Sequence, residues 1–415
     1  MSPVIGARPE QLVSSDAHGV PANQDSGRPR FDASGQYVAF TSAATSISPL
    51  ALPGVYSVYR KDRITGAVDL VSQGAEGTVA NGDSQFPTIC THGQFVAFAS
   101  TATNLLRRTP ARLSGSYLSV YVSDEIAHQT TLVSVSSTGV PANAASIDPA
   151  FSADCSRISF TSDASNLVPG DHNGATDVFV RDLKTAKTTL VSVADDGAPL
   201  NGPSSNADID RAGTAVAFAS QASNLPDATG DRPGVYVRDL NNGRTVAVSA
   251  AFKGLGADVQ GFAWPSFSPD GQYLVFRSLT YDLDSGGRHV LRGGRHVLVW
   301  DMRHDRSAIT AADRKTPEGW NDACTSGINN GTRFTPVISD RTAAHPHLVL
   351  FTVPRNGVCN LVLRDLQGKD VPIRSEVNVQ QVLEPTLNDT GDYLSWAIAS
   401  QPQLIYACKI TDCKG

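Results

Sequence analysis

Val38-Ala39-Phe40, Val58-Tyr59-Arg60 and Leu70-Val71-Ser72 are three short apolar runs in a fixed order, and that order returns along the chain. It returns as Val96-Ala97-Phe98, Val120-Tyr121-Val122 and Leu132-Val133-Ser134, and then as Ile158-Ser159-Phe160, Val178-Phe179-Val180 and Leu190-Val191-Ser192. A repeat of this length made only of short strands signals a β-propeller. A lone Leu12-Val13-Ser14 precedes the first full copy, and the last copy breaks off before its own Leu-Val-Ser.

The b-strands of the repeat end at Phe40, Phe98, Phe160, Phe218, Phe276, Phe351 and Trp396, which predicts seven blades. Successive intervals are 58, 62, 58, 58, 75 and 45 residues. The c-strands end on Asp62, Asp124, Asp182, Asp239, Asp301 and Asp365, with Ile410 in that place in the seventh. Turns such as Asp32-Ala33-Ser34-Gly35 and Pro269-Asp270-Gly271 precede the b-strands, because glycine supplies the positive φ that hairpin turns need. The expected fold is all-β: a seven-bladed propeller over residues 1–415, with four antiparallel strands per blade. The seventh blade takes three strands from about 382–410 and its fourth from Gln11 to Ser15, which joins the two ends of the ring.

A chain of 415 residues exceeds one ordinary core, and a repeat architecture resolves this because each unit packs only on its neighbours. The net charge of −6 and the lack of a basic tract leave no electrostatic footprint for nucleic acid. No apolar run reaches the length of a membrane span. The six cysteines are even in number and suit disulfides in an oxidising compartment, against a competing reading as unrelated buried thiols. Cys324 with Cys359, and Cys408 with Cys413, are the candidate pairs, on irregular position and proximity alone. No C-x-x-C pair suggests a zinc ribbon. Met1-Ser2-Pro3 leads straight into repeat material, so a cytoplasmic protein and a mature form without its signal peptide are both open.

Ser268–Phe276 (Ser-Pro-Asp-Gly-Gln-Tyr-Leu-Val-Phe), set beside Asp177–Leu183 (Asp-Val-Phe-Val-Arg-Asp-Leu), resembles the WD40-like repeat of TolB-type β-propellers. The resemblance covers about residues 9–410 and fades in copies six and seven. It implies a bacterial secreted or periplasmic home. It supplies no catalytic residues: the small α/β domain of TolB and the hydrolase domain of prolyl oligopeptidase relatives are both missing from this sequence.

Two polar series recur in the connections. Asn23, Asn81, Asn143 and Asn201 stand three residues before Ser26, Ser84, Ser146 and Ser204, and Asn104, Asn166 and Asn224 follow the b-strands. A ring of ligand-binding amides is one reading. Repetition in nearly every blade favours local loop bonding instead, since a site usually breaks symmetry while a scaffold keeps it. Asp171-His172-Asn173-Gly174-Ala175-Thr176-Asp177 makes Asp171, Asn173 and Asp177 candidate calcium ligands, although the loop lacks the terminal Glu of an EF-hand. No other cofactor is expected.

Symmetry breaks most in copies five and six. The fifth carries Gly-Gly-Arg-His twice between Asp284 and His296, and the sixth adds His345 and His347. A candidate binding pocket gathers Arg277, His289, His296, Trp300 and Trp320: Arg and His suit an anionic group, Trp a sugar or aromatic ring. The competing reading is a tolerated hairpin insertion whose Arg and His face water. No nucleophile elbow, zinc-protease motif or nucleotide loop is present. The expected function is therefore a monomeric module that binds a protein or glycan through loops on one face. An alternative is a propeller lyase acting on an anionic glycan with a His base beside Tyr281, and a purely structural envelope protein is a third.

Overall fold

A computed structural model describes residues 11–228, 232–250, 259–283, 289–303, 336–341, 346–355, 358–366, 370–371, 382–398 and 402–410. These residues form seven antiparallel sheets in chain order. Blade 1 comprises Ser26–Phe31, Tyr37–Ser42, Ser57–Asp62 and Val68–Leu70 as strands a to d. Blades 2, 3 and 4 repeat this from Ser84, Ser146 and Ser204. Blade 5 pairs Val259–Phe267, Tyr273–Leu283 and His289–Asp301, three strands among the described residues. Blade 6 runs from Val337 to Val371, and blade 7 holds Val382–Leu387, Tyr393–Ile398 and Leu404–Lys409.

The fourth strand of blade 7 is Gln11–Leu12, with Gln11 opposite Ala407 and Leu12 opposite Tyr406. The contact that fixes it is the same one the other blades use. In blades 1 to 4 the serine of the d-strand run accepts the N–H of the second c-strand residue: Val58 N to Ser72 Oγ at 2.9 Å, Val120 N to Ser134 at 3.0 Å, Val178 N to Ser192 at 3.0 Å and Val235 N to Ser249 at 3.1 Å. In blade 7, Ile405 N donates to Ser14 Oγ at 2.9 Å, across 391 positions of chain. Lys61 of blade 1 adds a clasp, its Nζ donating to Ser15 Oγ at 2.7 Å and to the Asp16 carbonyl at 3.1 Å.

The core is divided into seven apolar clusters, one between each pair of neighbouring blades. The cluster between blades 7 and 1 joins Val13, Ala397, Ile405 and Ala407 to Phe31, Val38 and Phe40, so the ring closes by packing as well as by pairing. Within blades the b- and c-strands stack an aromatic pair: Phe40 on Tyr59, Phe98 on Tyr121, Phe160 on Phe179 and Phe218 on Tyr236, at 5.5 to 6.0 Å. This explains why the b-strand repeat ends on an aromatic residue.

The recurring asparagines are bound to their own loops. Asn81 Nδ2 donates to Thr103 Oγ1 at 2.9 Å while Asn81 Oδ1 accepts from Thr103 N, and Asn104 Oδ1 accepts from Asn81 N at 3.0 Å. Asn143 with Ser165 and Asn166, and Asn201 with Ser223 and Asn224, repeat the latch. The c-strand acids are turn acids: Asp182 accepts from Thr185 N at 2.8 Å, and that N–H, together with Arg157, holds its carboxyl below the usual range.

Cys90 and Cys155 form a disulfide with Cα atoms 5.8 Å apart, joining the a–b turns of blades 2 and 3. This pair was not among the expected ones. The two cysteines lie 65 residues apart, nearly one repeat, and equivalent turns of adjacent blades face each other; neither proximity nor irregularity of sequence marks that. Cys408 is also disulfide-bonded, and no described cysteine is free. Cys324, Cys413 and the side chain of Cys359 lie outside the described residues. No described helix is long and apolar enough to cross a membrane.

Candidate functional site

The a-strands line the axis, and six of the seven carry an irregularity in the same place among the described residues. The a–b register skips between Gly27 and Arg30, Gln85 and Thr88, Ile147 and Ala150, Ser205 and Asp208, Ala263 and Ser266, and Leu383 and Thr386. In blades 1 to 5 the residue at the bulge has left-handed φ: Arg28 (54°), Phe86 (55°), Asp148 (52°), Asn206 (54°) and Trp264 (54°). A non-glycine residue there is strained, and bulges re-aim side chains next to sites. The backbone device is constant through blades 1 to 5 while the side chain it presents differs in each of them.

These residues surround a cavity of about 280 Å³ on the axis, to which all seven blades contribute. Arg28, Arg30, Asp148 and Asp208 supply charge of both signs, Phe86 and Trp264 supply rings, and Val337 and Thr386 complete the wall from blades 6 and 7. The Arg28 guanidinium lies 4.1 Å from the centroid of Phe86. The Trp264 indole N–H is buried and has no hydrogen-bond partner among the described residues. Asp208 accepts from Phe267 N at 2.8 Å, and burial raises its carboxyl to about 6 in spite of that bond. It is therefore half ionised near pH 6.

The opposite end of the axis is crossed. Arg211 in the a–b turn of blade 4 pairs with Asp389 in the a–b turn of blade 7 at 3.1 Å. Blades 4 and 7 are not neighbours in a ring of seven, so this pair spans the axis on the a–b side. Asp340 N of blade 6 donates to the Asp389 carbonyl at 2.6 Å, and Asn388 reaches the Ala33 carbonyl of blade 1 at 3.3 Å. Burial raises Asp340 to about 6, with the Asp270 charge adding to the effect.

Arg277 is 1% exposed and its guanidinium lies 5.2 Å from the Trp264 ring, directly behind the cavity wall. Trp300 is 5% exposed and packs with Phe276, Leu298 and Val237 between blades 4 and 5. His289 and His296 belong to the long blade 5 hairpin, paired with Leu283 and Ser278, and only their backbone positions are described. The second Gly-Gly-Arg-His thus lies within a lengthened strand, while residues 284–288 lie outside the described residues. Trp320 and His345 lie outside the described residues. His347 is a structural contact, with Nδ1 2.9 Å from the Ser339 carbonyl and its ring edge against Tyr273. The described residues place Arg277 behind Trp264, outside the cavity lining, and Trp300 in the core.

Sequence reasoning missed the cavity residues. Their signal is a variable residue before Pro at one strand position: Arg28-Pro29, Phe86-Pro87, Asp148-Pro149, Trp264-Pro265 and Glu384-Pro385. Asp208 makes a pH-dependent contribution that can be measured. Its folded value is raised, so its stabilising effect is complete below about pH 4 and is lost as pH rises through about 6. The ionised form costs up to about 3 kcal/mol at pH 7.5, an upper bound because the carboxyl is partly open to the cavity. Asp208→Asn should melt above the parent at pH 7.5 and at or below it at pH 4. Equal differences at both pH values would refute the assignment.

The fold is a seven-bladed β-propeller closed by its N-terminal strand. No family model matches the sequence, and no curated protein matches it. Among solved structures, the chain is similar to an oligogalacturonate lyase in complex with manganese, with TM-score 0.58, 13% identity, and 96% of this chain and 95% of that one covered. The β-propeller domain of the trilobed protease from Pyrococcus furiosus aligns with TM-score 0.53 at 10% identity, over 93% of each chain. A putative TolB from Agrobacterium tumefaciens also matches, with TM-score 0.41 and 15% identity over 67% of this chain and 78% of that one. At these identities the likeness is one of fold.

Proposed function

We propose that this protein is an extracytoplasmic TolB-like propeller that binds a small polar ligand, or the end of a glycan or peptide, in the central cavity. The observation that carries this is the shared bulge presenting a different side chain from each of five blades to one central cavity. A scaffold gains nothing from strained residues that vary, whereas a ligand site needs them to. Arg28 and Arg30 suit an acidic group, Asp148 and Asp208 suit hydroxyls or an amine, and Phe86 and Trp264 offer faces to a sugar ring. The volume fits one or two sugar units or a few residues of peptide. The disulfide supports a secreted or periplasmic location, since such bonds persist in oxidising compartments.

Calorimetry against neutral and uronic-acid oligosaccharides and short peptides tests the reading. Binding without turnover is expected, and Trp264→Ala should weaken it at least about tenfold, the loss of one buried ring contact. Absence of binding across the panel, or binding indifferent to Trp264, would count against it. Release of unsaturated sugar from a uronic-acid polymer would instead favour the lyase alternative.

A further inference from the structure

We infer that the b–c connection of blade 3 holds a calcium ion at Asp171 and Asp177. Asp171 is 2% exposed and Asp177 0%. The Asp171 Oδ2 is buried with no hydrogen-bond partner. A carboxylate oxygen withdrawn from water without a donor is costly, and the cost is removed when a cation supplies the missing partner. The second carboxylate makes the need greater, because the Asp171 charge acts unfavourably on Asp177. The other charged groups nearby are His172, exposed beside Asp171, and Asp163, which accepts from Thr176 Oγ1 at 2.6 Å.

The surrounding donors are hard oxygens. Asp177 Oδ1 accepts from Ser192 Oγ at 2.5 Å. Asp177 Oδ2 and the Leu200 carbonyl converge on the Asn173 amide nitrogen, each at 2.8 Å. Two carboxylates and the Leu200 carbonyl are hard oxygen ligands that suit calcium; the Asn173 amide nitrogen, whose own Oδ1 accepts from Ala175 N at 2.9 Å, stands where they converge and would turn aside for the ion, which completes its shell with water. Asp171 and Asp177 would be its two carboxylate ligands, since no three His, Cys, Asp or Glu side chains gather anywhere among the described residues, this loop included, in a way that would hold a metal. Bound there, the ion ties the b–c connection of blade 3 to the d–a connection that carries Leu200. This site lies apart from the central cavity, so it stands or falls independently of the proposed ligand.

The test uses the full chain, stripped with EDTA and titrated with calcium chloride. One ion per chain should bind at or below about 1 mM, the range of extracellular calcium modules. The melting temperature should rise by about 2–4 °C at saturation. Asp171→Asn, which keeps the shape of the side chain, should abolish both effects, while Asp196→Asn on an exposed turn should keep them. Calcium binding that Asp171→Asn leaves unchanged, or no calcium bound by the parent at about 1 mM, would overturn the inference. If the variant fails to fold, the parent's own response to EDTA and calcium decides.

Discussion

Removal of residues 1–16 is expected to lower the melting temperature by roughly 5–10 °C, the shift that several kcal/mol produces in a chain of this size. The deletion strips the seventh sheet of Gln11 and Leu12 and empties the position of Val13, which is fully buried. Burial of one such side chain is worth about 1.5–3 kcal/mol. It also leaves the Ile405 N–H without Ser14 Oγ and the buried Lys61 ammonium without Ser15 and Asp16. Each orphaned group adds about 1–3 kcal/mol, more where the group is charged. The d-strand is the outermost of its blade, so the other six sheets survive and the loss appears as a weakened seam. Calorimetry of the truncated chain checks this, and an unchanged melt would sink the closure.

Loss of the Cys90–Cys155 bond should cost about 4 kcal/mol on the chain-entropy account for a loop of this length, or about 5 °C in melting temperature. The loop it closes is 65 residues, a full blade-to-blade step. The double variant Cys90→Ala/Cys155→Ala is the cleaner test, because a reductant would also open the bond at Cys408. The native chain should show no thiol at these two positions by mass spectrometry. Free thiols there would refute the pairing, and a double variant with the parent's melt would show that packing between blades 2 and 3 suffices alone.

The fold was legible because a propeller repeats its instructions. The Phe or Trp within each b-strand, the Asp ending the c-strands of blades 1 to 6 and the Leu-Val-Ser run each mark one contact made again and again. The displaced Leu12-Val13-Ser14 was readable for the same reason, since it fills a vacancy that periodicity announces. The cavity was not legible because attention to unequal spacing points at inserted segments. The described part of the blade 5 insertion proved to be strand, and Trp300 proved to be core packing. The informative variation sits at constant spacing, one residue before a proline, where length never changes. Cysteine pairing was hidden for a related reason: Cys90 and Cys155 are distant in sequence and adjacent only once the ring is built.

The Arg211–Asp389 pair has a consequence for what the protein recognises. A passage tied across one end behaves as a cup and not as a pipe. A polymer threading it would have to break that pair, so a strand of sugar or peptide is expected to present only its terminus, and entry and exit would share one rim. Such a receptor counts chain ends instead of chain mass. For a fixed weight of polymer, its occupancy would climb as the polymer is cut shorter.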